Sequence, residues 1–244
     1  MVEIVNPSDA GIPSRRARLR AETTREIESI ALRQMAEDGP GAISLRGIAR
    51  EMGMTARAIY SYFPTRDDLI TALISGIGES LAESLRAAVD SVPAGDPGGR
   101  LVAWGAALRT WALADPEGFR LFYGRPVPGY RPPADGPVDR AARRVCRELT
   151  RLVAAADPPM PEGNSWAELH PDYVAKIRED IPEVAPAAAA MALRVWGRMH
   201  GLVALEIDGH IHPVARDPAA LHHAEMLDLV ASLGLARPAT APTD

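Results

Sequence analysis

Apolar residues recur at threes and fours along most of the chain, a spacing that predicts helices throughout. Leu19, Thr23, Ile27, Ile30 and Met35 trace one stripe from about Arg15 to Glu37, and Gly39-Pro40-Gly41 stops it. Ser44 stands at an N-cap position before Leu45, Ile48, Ala49 and Met52, a short amphipathic segment ending at Gly53. Thr55 opens a second short helix with Ala58, Ile59 and Tyr62 on its inner face, closed by Pro64. Two short helices joined by Gly53-Met54-Thr55 have the spacing of a helix-turn-helix. Such helices cross steeply, so the hinge needs the positive φ that glycine supplies. Ala49 is small enough to let the axes approach, and Met54 is placed to fill the space between them.

Further along, Ile70, Leu73, Ile74, Ile77, Leu81, Leu85 and Val89 predict a long connecting helix, ended by the Pro/Gly run from Pro93 to Gly99. It is the natural lever between the front segment and the rest. Helices are expected from Leu101 to Ala114, Pro116 to Tyr123, Asp139 to Ala156 and Ser165 to Glu179, with loops at Arg125–Pro137 and Asp157–Gly163. From Pro186 to Asp208 two faces are apolar. Leu193, Trp196, His200, Val203 and Ile207 form one; Met191, Val195, Met199, Leu202 and Leu205 form the other. Pro218 to Leu233 repeats the pattern. Residues 14–66 read as a small helix-turn-helix domain and 67–236 as a larger helical domain, with disordered tails at 1–13 and 237–244.

Composition narrows the functional classes. The chain has 244 residues, 47% of them hydrophobic, enough to bury a sizeable core unaided. Its one cysteine, Cys146, forms no internal disulfide and no thiolate zinc framework, which fits a reducing cytoplasm. The Ala-rich run from Val184 to Leu193 is too short to span a bilayer, and MVEIVNPSDAG lacks the features of a secretory signal, so a soluble cytoplasmic protein with no membrane partner is expected. The net charge of −5 conceals an asymmetry: residues 12–70 carry ten arginines against eight carboxylates, while the remainder is acidic. Arg15, Arg16, Arg18 and Arg20 crowd the start of the first helix, a density suited to nucleic acid, although a solvated helical turn has the same composition. No Ser-His-Asp spacing, phosphate-loop glycines or His-Glu-x-x-His is present, so no catalytic residue and no cofactor is assigned. His210, His212, His222 and His223 match no zinc spacing, and no metal is expected.

The stretch Ser44-Leu45-Arg46-Gly47-Ile48-Ala49-Arg50-Glu51-Met52-Gly53-Met54-Thr55-Ala56-Arg57-Ala58-Ile59-Tyr60-Ser61-Tyr62-Phe63-Pro64-Thr65-Arg66-Asp67-Asp68-Leu69 closely resembles the DNA-binding signature of the TetR family of transcriptional regulators. The likeness spans roughly residues 14–75, with Arg66 where the family usually has Lys. It implies that the helix opened by Thr55 enters the major groove, with Ala56, Arg57 and Ser61 facing base edges and Arg46 touching a base or phosphate. Arg57 is the strongest base candidate, because a guanidinium matches guanine O6 and N7. Ser44, Thr55, Tyr60, Tyr62 and Arg66 are expected to grip phosphates, with Arg15, Arg16 and Arg18 as an arm along the backbone or minor groove. Phe63 is expected in the core. Trp196-Gly197-Arg198-Met199-His200-Gly201 resembles the Trp-x-x-x-His-Gly signature of one subgroup's regulatory domain, and Asp115–Phe122 resembles its earlier helix start.

Partners follow from these features. Trp104, Leu108, Trp111, Phe119, Phe122, Tyr123, Met191, Trp196, Met199 and His200 offer the aromatic and flexible apolar surface of a small-molecule pocket, though the same residues could fill a solid core. No charged pair is placed for an ionic effector, so an apolar or amphipathic ligand is expected. Leu202, Leu205, Leu221, Met226, Leu229, Val230 and Leu233 are candidates for a homodimer contact, as a palindromic double-stranded operator demands; an internal bundle in a monomer carries the same pattern. The fold class is thus all-α, and the function a ligand-released homodimeric repressor. A ligand-responsive activator is the alternative, and a non-specific architectural DNA binder would need a larger positive excess.

Overall fold

The computed structural model describes residues 14–39, 41–124, 127–156, 165–236 and 238. The expected tails, apart from Pro238, and the loop at 157–163 lie outside them. Among the described residues every regular element is helical: α1 (Arg15–Asp38), α2 (Leu45–Glu51), α3 (Ala56–Tyr60), α4 (Arg66–Asp90), α5 (Pro97–Ala114), α6 (Pro116–Tyr123), α7 (Pro137–Ala155), a 3₁₀ turn (Trp166–Glu168), α8 (Pro171–Asp180), α9 (Pro186–Ile207) and α10 (Pro218–Ser232). The segment expected to form one helix from Ser165 to Glu179 is therefore two pieces, because Pro171 opens its own helix. α5 starts earlier than expected: Asp96 accepts a hydrogen bond from Gly99 N at 2.7 Å, turning the supposed terminator Pro97-Gly98-Gly99 into a capped first turn.

The chain divides into two compact units, and the division falls inside α4, after Leu73 rather than at Arg66. Leu69, Ile70 and Leu73 are buried. The Tyr130 phenol lies 2.9 Å from Thr71 Oγ1, which attaches the segment around Tyr130 to the first unit. That unit's interior comprises Ile27, Ile30, Ala31, Met35, Ile48, Ala49, Ile59 and Phe63, the last as expected. The stripe on α1 begins later than its periodicity suggests, since Leu19 is exposed.

In the second unit one core gathers Leu81, Leu85 and Val89 of α4, Leu101, Trp104 and Leu108 of α5, Val145 and Leu149 of α7, Val195 and Met199 of α9, and Met226, Leu229 and Val230 of α10. This corrects part of the expected dimer contact. Met226, Leu229, Val230 and Leu233 are within 1% of complete burial in their own chain and are unavailable to a partner. Leu205 and Leu221 are exposed, and Leu202 is half-buried. α9 buries Met191, Val195, Met199 and Val203 while exposing Leu193, Trp196 and Leu205, so both expected faces are rotated.

An ion pair joins α5 to α9 inside this unit. Arg109 Nε donates to Glu206 Oε2 at 2.7 Å and Nη2 to Oε1 at 2.5 Å, a two-pronged contact with a carboxylate that is 5% exposed. Beside it the buried His222 of α10 has its basicity lowered, first by burial and then by the Arg109 charge. No helix among the described residues is long and apolar enough to cross a membrane.

Candidate nucleic-acid interface and helical-domain cavity

The DNA-reading candidates stand on two capped helices. Ser44 Oγ accepts from Gly47 N at 3.2 Å and Thr55 Oγ1 from Ala58 N at 3.2 Å, so both caps expected from the sequence close the first turns of α2 and α3. Gly53 adopts φ +64°, and the next amide, Met54 N, donates back to Ala49 O at 2.8 Å, fixing the sharp reversal between the two helices. Ile48, Ala49 and Ile59 are buried, and Met54 is half-buried. Outside, Arg46 on α2 and Ala56, Arg57 and Tyr60 on α3 are exposed. Ser61 follows the end of α3, with its hydroxyl donating to Ala58 O at 2.7 Å.

One arginine departs from expectation. Arg66 is half-buried, its Nε donating to Ile43 O at 3.1 Å and its Nη2 to Gly41 O at 3.5 Å. The side chain expected on a phosphate instead ties the start of α4 to the loop between α1 and α2. Arg15, Arg16 and Arg18 form the exposed first turns of α1, capped by Ser14. Arg20, the last arginine of the basic run, reaches across to the end of α3. Its Nη2 donates to Ser61 O at 2.8 Å and its guanidinium lies 4.6 Å from the centre of the Tyr62 ring. It therefore holds the end of the α3 turn from α1. An open groove runs between Arg15, Arg16, Leu19, Arg20 and Thr23 on one side and Ser61 and Tyr62 on the other. Arginines on one wall and hydroxyls on the other suit it to an anionic backbone.

The second unit encloses a cavity of about 110 Å³, lined by Trp104, Phe122, Tyr123, Ala142, Val145, Cys146, Leu149, Thr150, Tyr173, Ala192, Leu193 and Trp196. Four of the ten residues expected to line a pocket do so: Trp104, Phe122, Tyr123 and Trp196. Leu108 and Met199 are buried in the main core, and Met191 and Trp111 also pack there. Phe119 and His200 form an aromatic cluster behind the cavity wall. The His200 ring stacks on Phe119 at 5.0 Å and meets Tyr123 edge-on at 4.9 Å and Trp196 at 5.1 Å. Burial lowers its pKa from the ordinary 6.5, and its Nδ1 has no hydrogen-bond partner among the described residues. The α7 side of the wall, from Ala142 to Thr150, was missed because these residues read only as one helix's apolar face.

Leu193 and Trp196 also face outward. A Cβ on Gly197 or Gly201 would meet nothing within 4 Å, so α9 presents an open apolar strip beside them. Among the described residues no group of His, Cys, Asp and Glu is placed to hold a metal ion.

Residues 28–73 match the family described as bacterial regulatory proteins, tetR family, and residues 101–229 match the tetracyclin repressor-like C-terminal domain. The HTH-type transcriptional regulator Rv1816 of Mycobacterium tuberculosis is 29% identical over 219 residues, covering 88% of this chain and 93% of that protein. The crystal structure of SCO4313, described as a regulatory protein, is similar at a TM-score of 0.72 and 37% identity, covering 88% of this chain and 98% of the other. A tetR-family regulatory protein from Rhodococcus RHA1 shares the fold, with a TM-score of 0.63 at 18% identity over 88% and 98% of the two chains. The exposed helix-turn-helix, the larger helical unit and these likenesses agree: the chain belongs to the tetR family of DNA-binding transcriptional regulators.

Proposed function

We propose that the protein is a homodimeric repressor, released from a palindromic operator when a small apolar or amphipathic molecule occupies the cavity of the second unit. The observation that carries this reading is the pairing, in one chain, of an exposed reading helix with a cavity whose lining side chains are all uncharged. Arg57 and Ala56, with Arg46 and Ser61, read bases. Ser44, Thr55, Tyr60, Tyr62, Arg15, Arg16 and Arg18 meet phosphates, and Arg20 positions the turn. The apolar strip on α9, with Leu202, Leu205 and Leu221, contacts a second copy. The Trp196–Gly201 motif supports a regulatory domain of the Trp-x-x-x-His-Gly subgroup, and on this reading the protein works in the cytoplasm.

α4 belongs to both units, so a ligand that favours one state of the second unit can bias the separation of two reading heads, which must sit about 34–36 Å apart to enter successive major grooves. A preference of roughly 1–3 kcal/mol between the states suffices. Footprinting DNA from around its own gene with wild-type protein and Arg57→Ala, alongside a solution mass measurement, tests the reading. A discrete protected palindrome, lost in the variant, and a dimer mass support it; uniform coating or a monomer overturns it.

A further inference from the structure

Four helices of the second unit contribute aromatic rings to the cavity wall: Trp104 from α5, Phe122 and Tyr123 from α6, Tyr173 from α8 and Trp196 from α9. Aliphatic side chains such as Val145 and Leu149 of α7 close the rest. The polar atoms of this wall are shut off or already spent. Trp104 Nε1 and the Tyr123 hydroxyl oxygen have essentially no exposed surface, and the Thr150 hydroxyl donates to Cys146 O at 2.8 Å. Both tyrosines stay protonated at neutral pH, because burial raises each phenol, that of Tyr173 to about 12. The surface open to the cavity is almost wholly hydrocarbon, and no lining side chain carries a charge.

A polar substituent therefore gains nothing by entering. A hydroxyl gives up its water without finding a partner, which weakens binding by about tenfold or more, and a carboxylate loses still more. Size is the second constraint. The volume, about 110 Å³, lies just below the roughly 150 Å³ apolar cavity that accepts benzene and well below the roughly 300–1,000 Å³ of drug-sized sites. One ring fits; two fused rings or a long acyl chain do not. Cys146, Leu193 and Trp196 are the exposed members of the wall, so the mouth lies between α7 and α9, where a short substituent on the ring has room. Rigidity is the third. A flat ring has no torsions to freeze on entry, and an aromatic one adds stacked or edge-on contacts with walls of this composition.

Resting on the reading of this cavity as the effector site, we infer that its ligand is a neutral one-ring arene without a hydrogen-bonding group, about the size of toluene.

Calorimetric titration of the full-length protein with toluene, phenol and octanoate, and with naphthalene at its solubility limit, tests this. Toluene binds. Phenol, which puts a hydroxyl of similar size in place of the methyl, binds at least about tenfold more weakly, and octanoate and naphthalene do not bind measurably. Ala192→Leu extends a side chain into the space from α9 and lowers toluene affinity at least about tenfold; Ala142→Leu does the same from α7 and serves where Ala192→Leu fails to fold. Phenol, octanoate or naphthalene binding as tightly as toluene, no binding of toluene, or wild-type toluene affinity in the folded filled variants overturns the inference. Retardation of operator DNA, measured in parallel, separates the two levels of argument. Toluene that binds but leaves the DNA complex intact refutes ligand release and leaves the ligand class standing. Release by some other compound, with toluene not binding, refutes the ligand class alone.

Discussion

Gly76 and Gly78 lie two residues apart on α4, yet replacing each by alanine has opposite consequences. A Cβ on Gly76 meets nothing within 4 Å, so Gly76→Ala gains the helix preference of alanine, about 0.8–1 kcal/mol. A Cβ on Gly78 would lie 2.4 Å from Phe122 Cε2, 3.0 Å from Phe122 Cζ and 2.9 Å from the Ala141 Cβ. The ring must retreat by about 1 Å to reach ordinary contact distance, and the methyl of Ala141 is held by its own helix. Overpacking of this kind costs about 1–3 kcal/mol and competes with the same propensity gain. Gly78→Ala should therefore unfold about 1–3 kcal/mol below Gly76→Ala in urea titrations, or melt several degrees lower at ~2–4 °C per kcal/mol. Phe122 also walls the cavity, so its displacement in Gly78→Ala alters the cavity's shape, which Gly76→Ala leaves untouched. A Gly78→Ala protein as stable as Gly76→Ala refutes the packing argument.

Other outcomes follow from single contacts. Arg20→Lys keeps the charge but loses the fork that meets Ser61 O and lies over Tyr62, so operator binding weakens several-fold while its salt dependence is retained; wild-type affinity in this variant would show that Arg20 positions nothing. Arg109→Met strands the Glu206 carboxylate in an apolar interior at a cost of about 3–5 kcal/mol, and adding Glu206→Met recovers most of it; a loss below about 1 kcal/mol in urea denaturation contradicts the ion-pair assignment. His200 and His222 have folded pKa values below the ordinary 6.5, so the fold favours their neutral forms. Their contribution is present above pH 6.5 and is lost as pH falls toward the folded values; the melting midpoint drops between pH 7 and pH 5, and drops less in His200→Asn.

The local grammar of the chain was readable where the cause is local. Ser44, Thr55 and Gly53 act within a few residues of themselves, and the helix-turn-helix they define stands as expected. Pro97 is ambiguous in the sequence because the same residue types end one helix and begin the next; only the cap from Asp96 distinguishes the two. Arg66 meets carbonyls 23 and 25 residues back, and Arg109 meets Glu206 across 97 residues, separations that no spacing rule covers. α10 shows why a doubly apolar helix is ambiguous. Periodicity records that Met226, Leu229 and Val230 avoid water but not whether they do so in their own chain or against another, and here their own core takes them. The cavity was half legible: its aromatic wall stands out in composition, whereas its α7 wall of Ala142, Val145, Cys146 and Leu149 looks like any helix interior.

Leu193 and Trp196 stand in two surfaces at once, the lining of the cavity and the outer strip of α9. A substitution at either position that alters the space inside the cavity therefore reshapes the outer surface of α9 in the same step. If the proposed effector site and second-copy contact hold, the two roles share these side chains, and a change that suits one is paid for at Gly197, Gly201 or Leu205 in the other.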